Sequence, residues 1–540
     1  MLARGRFVWG VLFSVVVGCS LALRLPRLSE RPMHGDEANQ AVRTGLLLET
    51  GTYHYDPTDH HGPVLYFAAW PICRLATSHF AETHEWHYRL VPVCFSVLTL
   101  LLMQGLVGRN RLFSTHTGVL MATLFTALSP AMVYYSRFFI QETMFVTFLT
   151  GMLLCAVRYV SSRFGDAQNA KSPVTEGAWA VGFGAFAGLA LATKETVVLS
   201  FAAAAVATVL ACGWRRLWRV WRTRDVLLAL ASAGVVASVL FSSFFTYPHG
   251  VYDAIFSTVS AYLKRATAVP EHQHPWSFYL KILFCFKYGR GPLWSEAGLL
   301  MPALFALVTA FRPLRVKAAV DGATSCHRRW VRFLVFYTLV LTLLYSAIPY
   351  KTPWCALSFL HGYILLAGVG IGAAVGWLQK RTVMCQVAGW GVLVLFIGGL
   401  AYRHGAQACR ACFKWPADPR NPYVYAHTGT DAMNLVAAIE KAAAAAAGYD
   451  TLIAIAVPTP DTWPLPWYLR AYKHVGYWTH VDQIPENLEP VIVIAAADQG
   501  DFANQRFGKD KQANFFGIRP GVLLNLFVPK QKKETRPSEL

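Results

Sequence analysis

The chain is 540 residues long, 55% of them hydrophobic and only 15% charged. Soluble domains carry about 25% charged residues, so this composition excludes a single water-soluble globule. A formal net charge of +19 would suit a nucleic-acid binder. The basic residues are instead dispersed in short clusters between apolar runs, which excludes that class and makes membrane lipids the expected partners.

A bilayer core needs roughly 20 mostly apolar residues per helix. Such runs lie near 7–25, 90–107, 118–134, 138–157, 178–192, 197–212, 226–245, 293–311, 333–348, 355–378 and 383–402. The first continues to Leu25 and more spans follow it, which predicts an uncleaved helix rather than a signal peptide. Basic clusters follow at Arg4/Arg6, Arg109/Arg111, Arg158/Arg163/Lys171, 214–224, 312–332 and Lys380/Arg381. Counting spans puts all of them on one side. By the positive-inside rule this predicts a multi-pass protein of the cell (inner) membrane with a cytoplasmic N-terminus and an extracytoplasmic C-terminal domain.

Two long outer loops stand out. The segment 26–89 contains a short apolar stretch, 64–75, which reads as an interfacial helix. The segment 247–288 carries His249, His272 and His274 and an amphipathic region at 262–265; loops of this length are more often functional than idle. Past about residue 403 the character changes. An alanine-rich helix at 431–447 stops before Gly448, and β-rich runs follow at 451–457, 491–496 and 522–528. The sequence therefore divides into a membrane domain, 1–403, with 26–89 as its first outer loop (the catalytic loop, by the family resemblance given below), and an α/β domain, 404–540, with a disordered tail after 529. Cys409-x-x-Cys412 has no second pair beside it, so a structural or idle role outweighs a metal site.

Polar clusters that do not act as basic anchors gather at the outer span ends. They are His34-Gly35-Asp36-Glu37, His60-His61-Gly62-Pro63, Tyr134-Tyr135-Ser136-Arg137 with Gln141-Glu142, Lys194-Glu195-Thr196, and Tyr350-Lys351-Thr352-Pro353-Trp354. Ionisable groups at a membrane edge are costly unless paired or solvated, so one shared polar cavity is expected. Blander readings stand beside it. Asp36-Glu37 fits a helix N-terminal charge pair, Lys194–Glu195 and Arg137–Glu142 fit structural ion pairs, and His60-His61 fit ordinary loop histidines.

The Asp-Glu pair on a long loop after the first span resembles the GT-C superfamily of polyprenyl-phosphate-sugar-dependent glycosyltransferases. Protein O-mannosyltransferases and the lipid A aminoarabinose transferase belong to it. The ordered set of clusters above, with Trp463-Pro-Leu-Pro-Trp467-Tyr468-Leu469-Arg470, is similar over nearly the whole chain to the flippase-activity-associated family of archaeal glycosylation. The resemblance implies a polytopic α-helical, GT-C-like membrane protein of about 11–13 transmembrane helices with a C-terminal extracytoplasmic α/β domain. It implies transfer of a sugar from a polyprenyl-phosphate donor to a protein, lipid or glycan acceptor by inverting displacement. A non-enzymatic flippase, or flippase accessory, is the alternative. Asp36 and Glu37 would be catalytic, and Arg137, Lys194, Tyr350 and Lys351 would bind the donor phosphate. His34, His60, His61, Tyr135, Gln141, Glu142, Glu195 and Trp354 would support the pocket. Trp463, Trp467, Tyr468 and Arg470 would dock the outer domain or contact the acceptor. No cofactor is expected; some superfamily members use a divalent cation, but the basic groups here suffice to neutralise phosphate.

Overall fold

The computed structural model describes residues 2–57, 61–108, 110–164, 173–214, 220–257, 272–312 and 322–530. His60, Lys171, the amphipathic 262–265 region, parts of both basic linkers and the tail beyond 530 lie outside them. The described chain forms two compact units. The first comprises Met1–Leu28, Thr52–Ile72 and Tyr88–Tyr425; the second comprises Ser29–Gly51, Cys73–His87 and Ala426–Leu540. The second unit thus takes in two pieces of the first loop as well as the C-terminal region.

The first unit is helical. Among the described residues, eight helices are long and apolar enough to cross a bilayer, including Phe7–Arg24, Glu142–Phe164, Ser325–Ala347 and Val383–Lys414, and shorter apolar helices include His116–Leu128, Val197–Cys212 and Ala297–Phe311. Each apolar run read from the sequence contains a helix, although 138–141 and 293–296 precede theirs, and one run is broken within. The run 118–134 is two helices, His116–Leu128 and Pro130–Tyr135. Pro130 lacks an N–H and disfavours the helical conformation at Ser129, whose side chain instead caps the second helix through the Met132 amide at 3.3 Å.

Without water to squeeze out, membrane helices associate by close backbone approach at small residues. Helix Pro173–Leu191 packs on Thr223–Phe241, where a Cβ added at Gly184 would sit 2.0 Å from the Ala229 carbonyl oxygen. Leu300–Phe311 meets Leu357–Leu378 in the same way, with Gly370 against the Pro302 carbonyl. A core of Phe125, Tyr134, Tyr135, Phe138, Trp294 and Phe359 gathers at the polar-cluster end of these helices.

The second unit is built on a five-stranded sheet of order β2-β1-β3-β5-β4: β1 Ile453–Ala456, β2 Val475–Trp478, β3 Ile492–Ala496, β4 Lys511–Arg519 and β5 Val522–Pro529. β1 is parallel to β2 and β3, while β5 runs antiparallel to β3 and β4. The three apolar runs became β1, β3 and β5. Strands β2 and β4 were not legible: one is a four-residue edge strand, the other a largely exposed edge strand of mixed polarity. Helix Asp431–Ala444 covers the sheet with Leu435 and Ile439. Helix Gly35–Thr50, from the first loop, packs in this unit beside the short helix Leu465–Tyr468.

Candidate functional site

In the second unit, the His34–Glu37 cluster opens helix Gly35–Thr50 as a capping box. His34 Nδ1 accepts the Asp36 amide at 3.1 Å, and Glu37 accepts the His34 amide at 3.1 Å. Glu37 is fully buried and pairs with Arg31 at 2.8 Å. Asp36 behaves differently. Its side chain is 53% exposed, and its only ionic neighbour among the described residues is His34 at 3.9 Å. Two adjacent acids therefore have separate fates: one holds the helix start, the other presents a solvated carboxylate.

The tryptophan-rich motif ties the first loop to the sheet within this unit. Trp467 Nε1 donates to Glu85 at 3.2 Å, Arg470 donates to the Thr83 carbonyl at 2.5 Å and stacks 3.7 Å over Trp467, and the Met33 amide donates to the Tyr468 hydroxyl at 2.9 Å. Trp463 Cβ approaches Gly35, where an added Cβ would lie 3.5 Å away.

In the first unit, Lys194 and Glu142 form a buried ion pair, 4% exposed each. This differs from the pairings expected from sequence. Lys194 reaches Glu142 at the start of the neighbouring long helix, and Glu195 contacts His61 at 2.8 Å. Gly62 makes the latter contact reachable, because any Cβ there would strike the Ala192 carbonyl at 2.1 Å. Lys194 also lies 3.5 Å from the Cys355 thiol. Burial opposes its charge, but Cys355 and Glu142 outweigh burial and raise the ammonium above its ordinary range. Gln141 and Glu142 each keep one buried polar atom without a described partner.

Arg137 donates to the carbonyls of Leu23, Arg24 and Arg27 at 3.3, 2.7 and 3.2 Å and lies over the Phe413 ring, which fixes the end of the first helix. Tyr135 donates to the Tyr423 carbonyl at 2.8 Å. Its ring lies 6.3 Å from that of Trp354.

Lys351 is 1% exposed. Its ammonium donates to the carbonyls of His274, at 3.0 Å, and Ile348. It makes no ion pair among the described residues, and burial pulls its pKa below the ordinary value. Around it stand Tyr350, Trp354, His272, His274 and Tyr425. His272 lies 5.0 Å from Tyr350 and Trp354 lies 5.9 Å from Tyr425, ring to ring. The two histidines were visible in the sequence as a His-x-His in a long loop. Tyr425 gave no signal there, because nothing local ties residue 425 to residues 272–274.

No group of three or more His, Cys, Asp or Glu side chains with metal-site spacing occurs among the described residues. Cys409 and Cys412 are both free thiols.

Residues 66–276 match the family of dolichyl-phosphate-mannose-protein mannosyltransferases. Among solved structures, ArnT from Cupriavidus metallidurans bound to undecaprenyl phosphate superposes with a TM-score of 0.62 at 14% identity, covering 96% of this chain and 98% of that one. Its apo state gives 0.63 at 15% identity, with 97% and 98% covered. The archaeal oligosaccharyltransferase AglB from Archaeoglobus fulgidus, in complex with an inhibitory peptide and a dolichol-phosphate, gives 0.54 at 11% identity, with 99% and 75% covered. No curated protein matches the chain in sequence. The fold is that of the GT-C membrane glycosyltransferases, in a multi-pass membrane protein.

Proposed function

Taking the GT-C fold as premise, we propose that this chain is a glycosyltransferase that moves a sugar from a polyprenyl-phosphate donor to an extracytoplasmic acceptor. The observation that carries the reading is Lys351, a buried ammonium held by carbonyl dipoles with no carboxylate to neutralise it among the described residues. Such a charge suits an anion, and a lipid-linked phosphate is the anion expected of this fold. The lipid phosphates bound in the ArnT and AglB structures belong to those proteins and support the same class of donor here.

In this mechanism the acceptor hydroxyl attacks the anomeric carbon in line with the bond to phosphate. The new C–O bond forms as the old one breaks, the acceptor proton passes to Asp36, and the electron pair leaves with the polyprenyl phosphate. A single displacement inverts the anomeric centre. Lys351, with Tyr350 beside it, stabilises charge developing on the leaving phosphate. Each within its own unit, Glu37 fixes the start of its helix, Arg137 the end of the first helix, and Lys194 the side chain of Glu142. The Trp463–Arg470 motif docks the first loop, and no step requires a metal ion.

Asp36→Asn tests the assignment. Base catalysis contributes about a hundred- to ten-thousandfold, so turnover falls by that order while donor affinity persists. Normal turnover in Asp36→Asn would end the base assignment and favour a translocator. A strong loss of transfer on chelation would overturn the metal-free mechanism. Single-cysteine labelling checks orientation: residues near Asp36 and the C-terminal sheet should label from outside, and Trp214 from the cytoplasm.

A further inference from the structure

Two imidazoles, a phenol and an ammonium meet in the first unit, outside its apolar helices. The Tyr425 hydroxyl lies 2.6 Å from His272 Nδ1 and 3.1 Å from His274 Nε2. A hydroxyl has one proton, so Tyr425 donates to at most one ring and accepts N–H from the other, which couples the two tautomers. The backbone laces the same residues to the Lys351 motif. The Lys351 amide donates to the His272 carbonyl at 2.9 Å, the His274 amide donates to the Pro349 carbonyl at 3.1 Å, and Gln273 bridges Tyr350 in antiparallel register. The His274 ring stacks on Phe278 at 4.3 Å. A mere linker needs none of this fixation.

His274 and Lys351 make no ion pair among the described residues; Glu271, the neighbouring acid in sequence, lies outside them. Burial, His272 and Lys351 all push His274 below the ordinary imidazole pKa. Without an anion beside it His274 resists protonation, and with one the sign reverses.

The chemistry of the proposed donor supplies such an anion, and its charge changes during reaction. A polyprenyl-phosphate sugar is a phosphodiester with one negative charge. Once the glycosidic bond breaks, the leaving group is a phosphate monoester, whose second ionisation lies near pH 6, so it carries most of a second charge at neutral pH. We propose that His272, His274 and Tyr425 complete, with Lys351, a phosphate cradle in which His274 takes up a solvent proton as the monoester forms. His274 then donates a charge-assisted hydrogen bond to the phosphate oxygen that receives the electron pair. The inference rests on the transferase reading and deepens it: the cradle favours the product-like charge over the substrate charge, which is where catalysis requires stronger binding.

The sign of the linkage follows directly. His274 is hard to protonate when free and easier to protonate when bound, so binding takes up a proton. Affinity for the monoester therefore rises as pH falls from about 8 toward 6.5, by up to about tenfold per unit where uptake is complete. The test uses the full-length protein in nanodiscs and undecaprenyl phosphate as ligand, with calorimetry in two buffers of different ionisation enthalpy. The wild type should take up a substantial fraction of a proton per ligand at pH 7.5. His274→Gln, checked for unchanged thermal unfolding, should lose that uptake and bind with a flatter pH profile; His272→Gln should reduce it. Inorganic phosphate should compete if the headgroup is what the cradle reads, whereas phosphatidylglycerol, a diester lipid, should bind without uptake. Equal uptake in wild type and both variants would overturn the proposal, as would equal uptake with phosphatidylglycerol. Proton-linked binding in a chain that transfers no sugar would leave the cradle standing and remove the transferase reading.

Discussion

Lys194 and Lys351 are both buried, both near the ends of apolar helices, and both among residues that sequence marks as cationic. Their charges are balanced in opposite ways. Lys194 faces the carboxylate of Glu142, so the pair is close to neutral as a unit. Lys351 faces carbonyl oxygens of His274 and Ile348, which solvate the ammonium but leave its charge in place. A paired buried cation acts as a fixed support for the helices it joins. A cation held only by dipoles keeps a net field that a phosphate can complete.

The sharpest way to break this contrast is to remove the acid from the paired lysine. Glu142→Ala strands Lys194 in a buried site, and uncompensated buried charges cost about 3–5 kcal/mol. Thermal unfolding in detergent should fall markedly, with little purified protein recovered. An unfolding temperature equal to wild type would mean Lys194 is solvated after all, and the contrast would fail. Lys351→Ala has the complementary signature. Stability should change little, while affinity for undecaprenyl phosphate should drop about ten- to hundredfold, as expected for about 1.5–3 kcal/mol from a charge-assisted hydrogen bond. Lys351→Arg should keep most of the affinity, because it keeps the charge; equal losses in Ala and Arg would point to packing.

Much of this was legible in the sequence, and the reasons are local. Apolar runs report helices because a bilayer demands length and continuity, and the break inside a run, at Ser129–Pro130, followed from a residue that cannot continue a helix. Strands β1, β3 and β5 were visible because they are buried and apolar; β2 and β4 were not, because an edge strand needs no such pattern. The candidate residues were found as clusters, yet their partners were not. Sequence adjacency suggested Lys194–Glu195, whereas packing joins Lys194 to a residue 52 positions away. Arg137 looked like a phosphate ligand, but its donors reach three backbone carbonyls at a helix end, a use that no motif announces. Tyr425 meets His272 across 153 positions, and nothing in the chain between them marks the meeting.

The same distinction between a fixed and an available charge separates Asp36 from Glu37, at smaller scale. Glu37 accepts the His34 amide and pairs with Arg31 inside the second unit, so its carboxylate is engaged in starting the helix. Glu37→Gln keeps an acceptor for the amide but weakens the bond to the guanidinium. The helix start should loosen by about 1 kcal/mol, within the range for capping and charge-assisted hydrogen bonds. Hydrogen exchange should report it as faster exchange over Gly35–Thr50, with turnover reduced only as far as folded protein is lost. If Glu37→Gln instead removed turnover to the depth of Asp36→Asn while exchange stayed unchanged, the two acids would share the chemistry. The exposed carboxylate would then no longer be distinguished from the buried one by its role.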